Sequence, residues 1–290
     1  MLTCNEAFYE LKSKLQPLYD EREAVAIAHD LLHHITGMDK IQRLMQKDTC
    51  LSETQQREYE RSLEALLQGV PIQYVIGEAW FMGRMFQVNK HVLIPRPETE
   101  ELVQWMIDDH KNKSGHIQIL DVGTGSGCIP ISLKSALPRI EITSIDISND
   151  ALGVAKENAK RARTSIQFLE LDILDTMEHN KLGFFDVIVS NPPYIPQSDK
   201  DAMHTNVKDQ EPAVALFVPD HDPLLFYKAI AALGKGHLNQ NGYIYCELDA
   251  NHAAVCKALF EQAGYSNVAL RRDMHGNWRM IRASFSQETD

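Results

Sequence analysis

The chain has 290 residues, of which 44% are hydrophobic and 24% charged, and a formal net charge of −11. That length suits two domains, and the apolar share can bury a core, which excludes a disordered or fibrous chain. The acidic balance runs through both halves and argues against a basic, duplex-gripping surface.

No apolar run approaches the ~20 residues of a membrane span. The five cysteines, Cys4, Cys50, Cys128, Cys246 and Cys256, are scattered without a C-x-x-C pair. They predict reduced thiols in the cytoplasm, with neither a zinc site nor a disulfide framework. The opening residues, Met1 to Glu6, carry neither the basic start nor the apolar centre of a signal peptide.

In chain order, residues 1–71 read as a small helical bundle. Thr3 and Glu6 fit a capping box, with Phe8, Leu11 and Leu15 forming an apolar stripe behind it. A second helix runs from Glu21 to Ile35 and closes at Gly37. Ser52 and Gln55 open another helix, which Gly69 and Pro71 stop. His29 and His33 lie four apart on one helix, but with no third ligand nearby they read as packing or a solvated face. Residues 72–95 change character: Tyr74, Val75, Trp80, Phe81, Phe86, Val88, Val92 and Leu93 form strands, and Gly77, Gly83 and Asn89 punctuate them. A β-hairpin linker is expected there.

Pro97 then opens a helix, and residues 96–290 alternate between the two periods. Strands are expected at 117–121, 140–146, 166–171, 184–190 and 242–248. Helices are expected at 127–136, 149–162, 223–234 and 251–263, and a closing hairpin near 267–273 and 278–285. This alternation predicts an α/β fold with a Rossmann-like, doubly wound parallel sheet.

Two motifs sit at ends of those strands. The first strand runs into Asp121-Val122-Gly123-Thr124-Gly125-Ser126-Gly127. Glycines allow close backbone approach, and the helix that follows offers unpaired N–H groups. The spacing is G-x-G-x-G rather than the G-x-G-x-x-G of dinucleotide folds, and no Walker lysine follows. Asp146 ends the next strand, where such folds place the carboxylate that holds a ribose diol. Asp172 ends the third. A nucleoside-type cofactor is expected, and S-adenosylmethionine fits the loop better than a dinucleotide. Gly123, Thr124, Gly125, Ser126, Gly127, Asp146, Asp172 and Asn191 are its candidate contacts.

The apolar strand Phe184 to Ser190 meets Asn191-Pro192-Pro193-Tyr194. Proline lacks a ladder N–H, so the backbone leaves the sheet there. The Asn191 side-chain oxygen and the Pro192 carbonyl can accept both protons of a planar –NH2, and Tyr194 can pack on its face. Asn191, Pro192, Pro193 and Tyr194 are the candidate substrate contacts, and Asn191, Pro192 and Tyr194 the candidate catalytic ones. The bland reading is a strand that ends in a Pro-rich turn.

The chain resembles the protein-(glutamine-N5) methyltransferases that modify class-1 peptide-chain release factors. The resemblance rests on Gln73 to Gly77, Val92 to Glu100, Asp121 to Gly127, Asp146 to Ser148, Ser190 to Ile195 and Glu211 to Leu216. It implies a class I S-adenosylmethionine-dependent methyltransferase with a helical substrate-docking domain at its N-terminus. It also implies S-adenosylmethionine held by Gly123–Gly127 and Asp146, and a glutamine side chain held by Asn191–Tyr194. The expected substrate is the Gly-Gly-Gln glutamine of the release factor, and the protein is expected to be a cytoplasmic monomer that binds neither membrane nor nucleic acid. Ile173 or Leu174 is the candidate for packing on the adenine. Arg96, Glu98 and Thr99 either touch the cofactor or brace the hinge. Glu247-Leu248-Asp249 stands where the family often has Glu-Ile-Gly. The alternatives are N-methylation of a nucleic-acid base, which would use the same Asn-Pro-Pro-Tyr chemistry, or of a glutamine in a ribosomal protein.

Overall fold

Capping signals in the sequence start the helices of the first unit. Thr3 caps α1 (Cys4–Leu15) with Glu6 reciprocating, and Asp20 caps α2 (Glu21–Thr36), which ends on left-handed Gly37. Asp39 opens α3 (Lys40–Met45), and Ser52 opens α4 (Glu53–Leu67) with Gln55 completing the box. Their apolar faces meet around Leu11, Leu31, Leu32, Tyr59 and Leu66, all essentially buried. The computed structural model describes residues 1–113, 115–203 and 205–285. It divides into two units: Met1–Glu78 with the helix α9 (Thr205–Lys208), and Ala79–Met203 with the chain from Glu211 onward.

His29 is explained by packing, and His33 lies on an exposed face. His29 stacks on Phe8 and its Nδ1 accepts from Arg43 at 2.8 Å, while the His33 ring bonds the Met38 carbonyl. Among the described residues no helix is long and apolar enough to cross a membrane.

Residues 72–95 depart from the strand expectation in part. Ile72–Ile76 form a short helix, α5, ended by left-handed Gly77. Val75 and Ile76 bury against the bundle cluster, and that packing overrides their strand propensity. A hairpin does follow, β1 (Glu78–Phe81) and β2 (Arg84–Gln87). Val88, Val92 and Leu93 lie outside it without regular structure.

The second unit is the expected alternation: α6 (Pro97–His110), β3 (Ile117–Val122), α7 (Cys128–Ala136), β4 (Ile140–Asp146), α8 (Asn149–Ala162), β5 (Gln167–Glu170) and β6 (Phe185–Ser190). After β7 (Ile195–Pro196), α10 (Ala213–Leu216) and β8 (Phe217–Val218) come α11 (Leu225–His237), β9 (Leu238–Glu247), α12 (Ala253–Gln262), β10 (Ser266–Arg272) and β11 (Trp278–Ser284). The seven-stranded sheet has the order β10-β11-β9-β6-β3-β4-β5, parallel except that β11 runs antiparallel to both its neighbours.

Alternate residues supply two cores. Leu120, Ile188, Ile244 and Cys246 face α11 and α12; Ile119, Val187, Val189 and Tyr245 face α6 and α7. Both faces of the sheet are therefore covered, which is why its strands read as continuous apolar runs. The chain winds outward from β3 through β4 and β5, then returns to place β6 on the other side of β3. This reversal of strand order is the position where open α/β sheets leave a crevice at their C-terminal edge.

Candidate functional site

The ends of β3 and β6 lie side by side at that reversal. Val122 pairs with Ser190, and the Ser190 hydroxyl donates to the Val122 carbonyl at 2.8 Å. The glycine loop and Asn191 are thus neighbours although 64 or more positions separate them in sequence. Here a cavity of about 240 Å³ opens, lined by Gly123, Thr124, Gly125, Ser126, Asp146, Asp172, Asn191, Pro192 and Pro193 among others.

Two candidate residues stand off the cavity. Gly127 (φ +79°) leads α7, and a Cβ on it would lie 3.2 Å from the Ala155 Cβ, so its glycine serves helix packing. Tyr194 packs against the core and donates its hydroxyl to Glu247 Oε1 at 3.1 Å. Burial, with the Glu247 charge behind it, pushes that phenol well above its ordinary value, so it stays a neutral donor.

The loop is built for a close ligand. Gly123 and Gly125 have φ of +75° and +53° and face open space where a side chain would be. Asp146 binds the loop to β4: its Oδ2 accepts from Gly125 N and its Oδ1 from Ser148 N, both at 2.9 Å. Ser148 caps α8 itself, so Asp146 is not the helix cap. Burial raises the Asp146 carboxyl, and three backbone N–H groups oppose the rise. Asp172 Oδ1 accepts from Leu174 N at 2.9 Å. Ile173 and Leu174 both line the cavity, with Ile173 the more buried.

Buried polar atoms without partners mark the same floor. The hydroxyls of Thr124 and Ser126 and both oxygens of the fully buried Asp121 lack a partner of good hydrogen-bond geometry, although the Thr124 and Ser144 hydroxyls lie close enough to Asp121 to act on its charge. The fit to a nucleoside cofactor rests on the open cradle at Gly123 and Gly125, where the missing side chains let a ligand approach the backbone closely.

Burial pushes Asp121 up to about 7, and the Asp146 charge adds to the rise while the nearby Thr124 and Ser144 hydroxyls reduce it. Its unfolded value is about 3.9. The folded state therefore holds the proton more tightly, and the stability from this group is complete below about pH 4 and lost as pH rises through 7. Asp121→Asn, which stays neutral, should gain thermal midpoint relative to the parent as pH goes from about 5 to 8. Parallel midpoint curves over that range would show that Asp121 carries no such penalty.

Three residues that sequence reasoning left undecided or unassigned complete the rim. Arg96 lines the cavity and pairs with buried Glu211 at 2.5 Å, while Glu211 also accepts from Ile94 N at 3.1 Å. The segments Val92–Glu100 and Glu211–Leu216 are joined by these bonds. Thr99 is buried; its hydroxyl donates to Glu247 Oε2 at 2.5 Å and accepts from Asn191 Nδ2 at 3.1 Å. Glu247, at the end of β9, is 2% exposed. Burial raises its carboxyl, while Thr99, Tyr194 and Arg279 oppose the rise. Asp249 has ordinary extended dihedrals and caps the short turn that follows, so no glycine is needed there.

Residues 99–211 match the methyltransferase small domain and residues 6–77 the PrmC N-terminal domain. The release factor glutamine methyltransferase of Flavobacterium psychrophilum is 40% identical over 273 residues, covering 93% of this chain and 95% of its own. That of Bacteroides thetaiotaomicron is 38% identical, covering 94% and 97%. A solved methyltransferase from Pyrococcus furiosus, 16% identical, aligns with a TM-score of 0.51 over 81% of this chain and 100% of its own, a likeness of fold. With 40% identity across nearly its whole length, the chain belongs to the release factor glutamine methyltransferase family.

Proposed function

We propose that the protein transfers a methyl group from S-adenosylmethionine to N5 of the glutamine in the Gly-Gly-Gln motif of class-1 peptide-chain release factors. The observation that carries this reading is that the glycine loop and Asn191–Pro193 line one cavity at the β3–β6 reversal. Gly123, Thr124, Gly125, Ser126, Asp146 and Asp172 would hold the cofactor. When bound, it supplies an electrophilic methyl on a sulfonium.

A carboxamide nitrogen is a weak nucleophile because its lone pair is delocalised. Asn191 Oδ1 and the Pro192 carbonyl accept its two protons and turn the nitrogen toward the methyl. Orientation of this kind supplies up to roughly 7–11 kcal/mol of the barrier. The same acceptors stabilise the positive charge that develops on nitrogen. One of the two N–H protons must leave the nitrogen once it is methylated, and Asn191 Oδ1 and the Pro192 carbonyl are the acceptors that would hold it until it passes to solvent. Tyr194, tethered to Glu247 in the core, would act by holding the Asn191–Tyr194 turn rather than by touching the amide. The helical unit of residues 1–71 would dock the release factor, with 72–95 as linker and 96–290 as the methyl-transfer domain. In this reading the protein works as a cytoplasmic monomer and binds neither nucleic acid nor membrane.

A labelled methyl-transfer assay tests the proposal by offering unmodified release factor beside total RNA and DNA. One methyl on the Gly-Gly-Gln glutamine, read by mass spectrometry, supports it; label in nucleic acid alone refutes it. Asp146→Ala removes the carboxylate that binds the loop to β4 and would meet the ribose diol. Cofactor affinity by calorimetry should fall about ten-fold or more, the low end for one charge-assisted hydrogen bond. Unchanged affinity would remove Asp146 from the site.

A further inference from the structure

We propose that Thr99 and Glu247 are positioning residues that fix which way the Asn191 amide faces, and so present its oxygen rather than its nitrogen to the substrate. The inference rests on the methyl-transfer reading above and concerns the same cavity. An Asn side chain has an acceptor end and a donor end of nearly equal shape, and only its surroundings decide their order.

With Glu247 ionised, the surroundings leave one order. An ionised carboxylate accepts and never donates. Thr99 has a single hydroxyl hydrogen and directs it at Glu247 Oε2 at 2.5 Å. Thr99 Oγ1 then has only lone pairs left for Asn191, so the end that faces it must be Nδ2, as the 3.1 Å contact has it. The Oδ1 end is turned away from Thr99, on the same short stretch as the Pro192 carbonyl.

The other oxygen of the same carboxylate holds Tyr194, whose hydroxyl donates to Oε1 at 3.1 Å. One buried acid thus sets both polar side chains of the Asn191–Tyr194 turn. Burial raises the Glu247 carboxyl, and the Thr99 and Tyr194 hydroxyls with the Arg279 charge oppose that rise; the relay requires that this opposition keep Glu247 ionised. An inverted Asn191 would set an NH2 group against the substrate NH2, donor against donor, and the substrate nitrogen would lose one of its two acceptors.

The test is Thr99→Val, close in shape but without the hydroxyl, against Thr99→Ser, which restores it. For transfer to release factor, Thr99→Val should lower kcat about ten-fold or more with the cofactor KM within about two-fold. Thr99→Ser should return kcat to within about three-fold of the parent, which a packing role for the Thr99 methyl would not produce. A second measurement needs no substrate. In 15N-labelled protein, the Asn191 side-chain amide signal, assigned by its loss in Asn191→Ala, should shift and exchange faster in Thr99→Val and return in Thr99→Ser.

Turnover of Thr99→Val within about two-fold of the parent overturns the relay while leaving the proposed reaction standing. If the parent itself methylates no release factor, the substrate reading falls and the amide signal decides: unchanged in Thr99→Val, it overturns the relay; shifted and restored by Ser, it supports it.

Discussion

Asn191→Ala should lower kcat by at least about 100-fold, or roughly 2.7 kcal/mol of barrier, the scale for removing one preorganised polar partner. Affinity for S-adenosylmethionine should stay within about three-fold, because apart from Asn191 itself the groups put forward to hold it lie on other strand ends. Asp146 is fixed by Gly125 N and Ser148 N, and the loop is held to β4 by Gly123 N and Thr124 N donating to the Ile145 carbonyl. None of those bonds passes through position 191. What the substitution removes is one of two acceptors for the substrate amide. With one left, the nitrogen can still enter the cavity but no longer holds a single direction, so the loss falls on the chemical step. Single-turnover kinetics with calorimetry on the same preparation separates the two effects. A kcat within about ten-fold of the parent would sink the assigned role.

The glycine loop and Asn191 were legible in the sequence because each sits where a strand is interrupted by residues that alter the backbone itself, and Asp146 was legible as the acid that ends the second strand. Two prolines after β6 and three positive-φ glycines after β3 mark the strand ends regardless of tertiary context. The rest of the site lacked such a signal. Glu247 looks like the polar end of an apolar strand, and its partners Thr99 and Tyr194 lie 148 and 53 positions away. No local period links a helix start, a turn and a strand end; only the sheet order does. Tyr194 was legible as an aromatic after the prolines, but not as a hydroxyl drawn to a buried acid.

The structure departs from the expected elements at two places, for different physical reasons. Val75 and Ile76 are strand formers that the bundle buries in helical form. The strand expected at 242–248 begins earlier, at Leu238, with Asn241 at φ +63° and a shift in its register against β6. A bulge absorbs residues that would otherwise break the strand.

Arg96→Ala should destabilise the unit that holds the site by about 2–3 kcal/mol, somewhat below the 3–5 kcal/mol of a fully buried pair. The discount follows from exposure: the Arg96 side chain is 31% exposed, while that of Glu211 is 1% exposed. Loss of the guanidinium leaves Glu211 buried with the Ile94 N–H as its remaining hydrogen-bond donor. A midpoint drop of roughly 5–10 °C is expected for a unit of this size. A merely structural arginine, valued for its stem, would give a similar drop, so the second variant decides. Arg96→Ala combined with Glu211→Gln removes the stranded charge but keeps an acceptor for Ile94. If the cost lies in the unpaired carboxylate, the double variant recovers most of the lost midpoint. If it falls as far as the single variant, the pair is not what joins the two segments. Pro95, Pro212, Val214 and Ala215 line the cavity beside Arg96. The single variant should therefore also loosen that wall and raise KM for the substrate, and the double variant should restore both properties together.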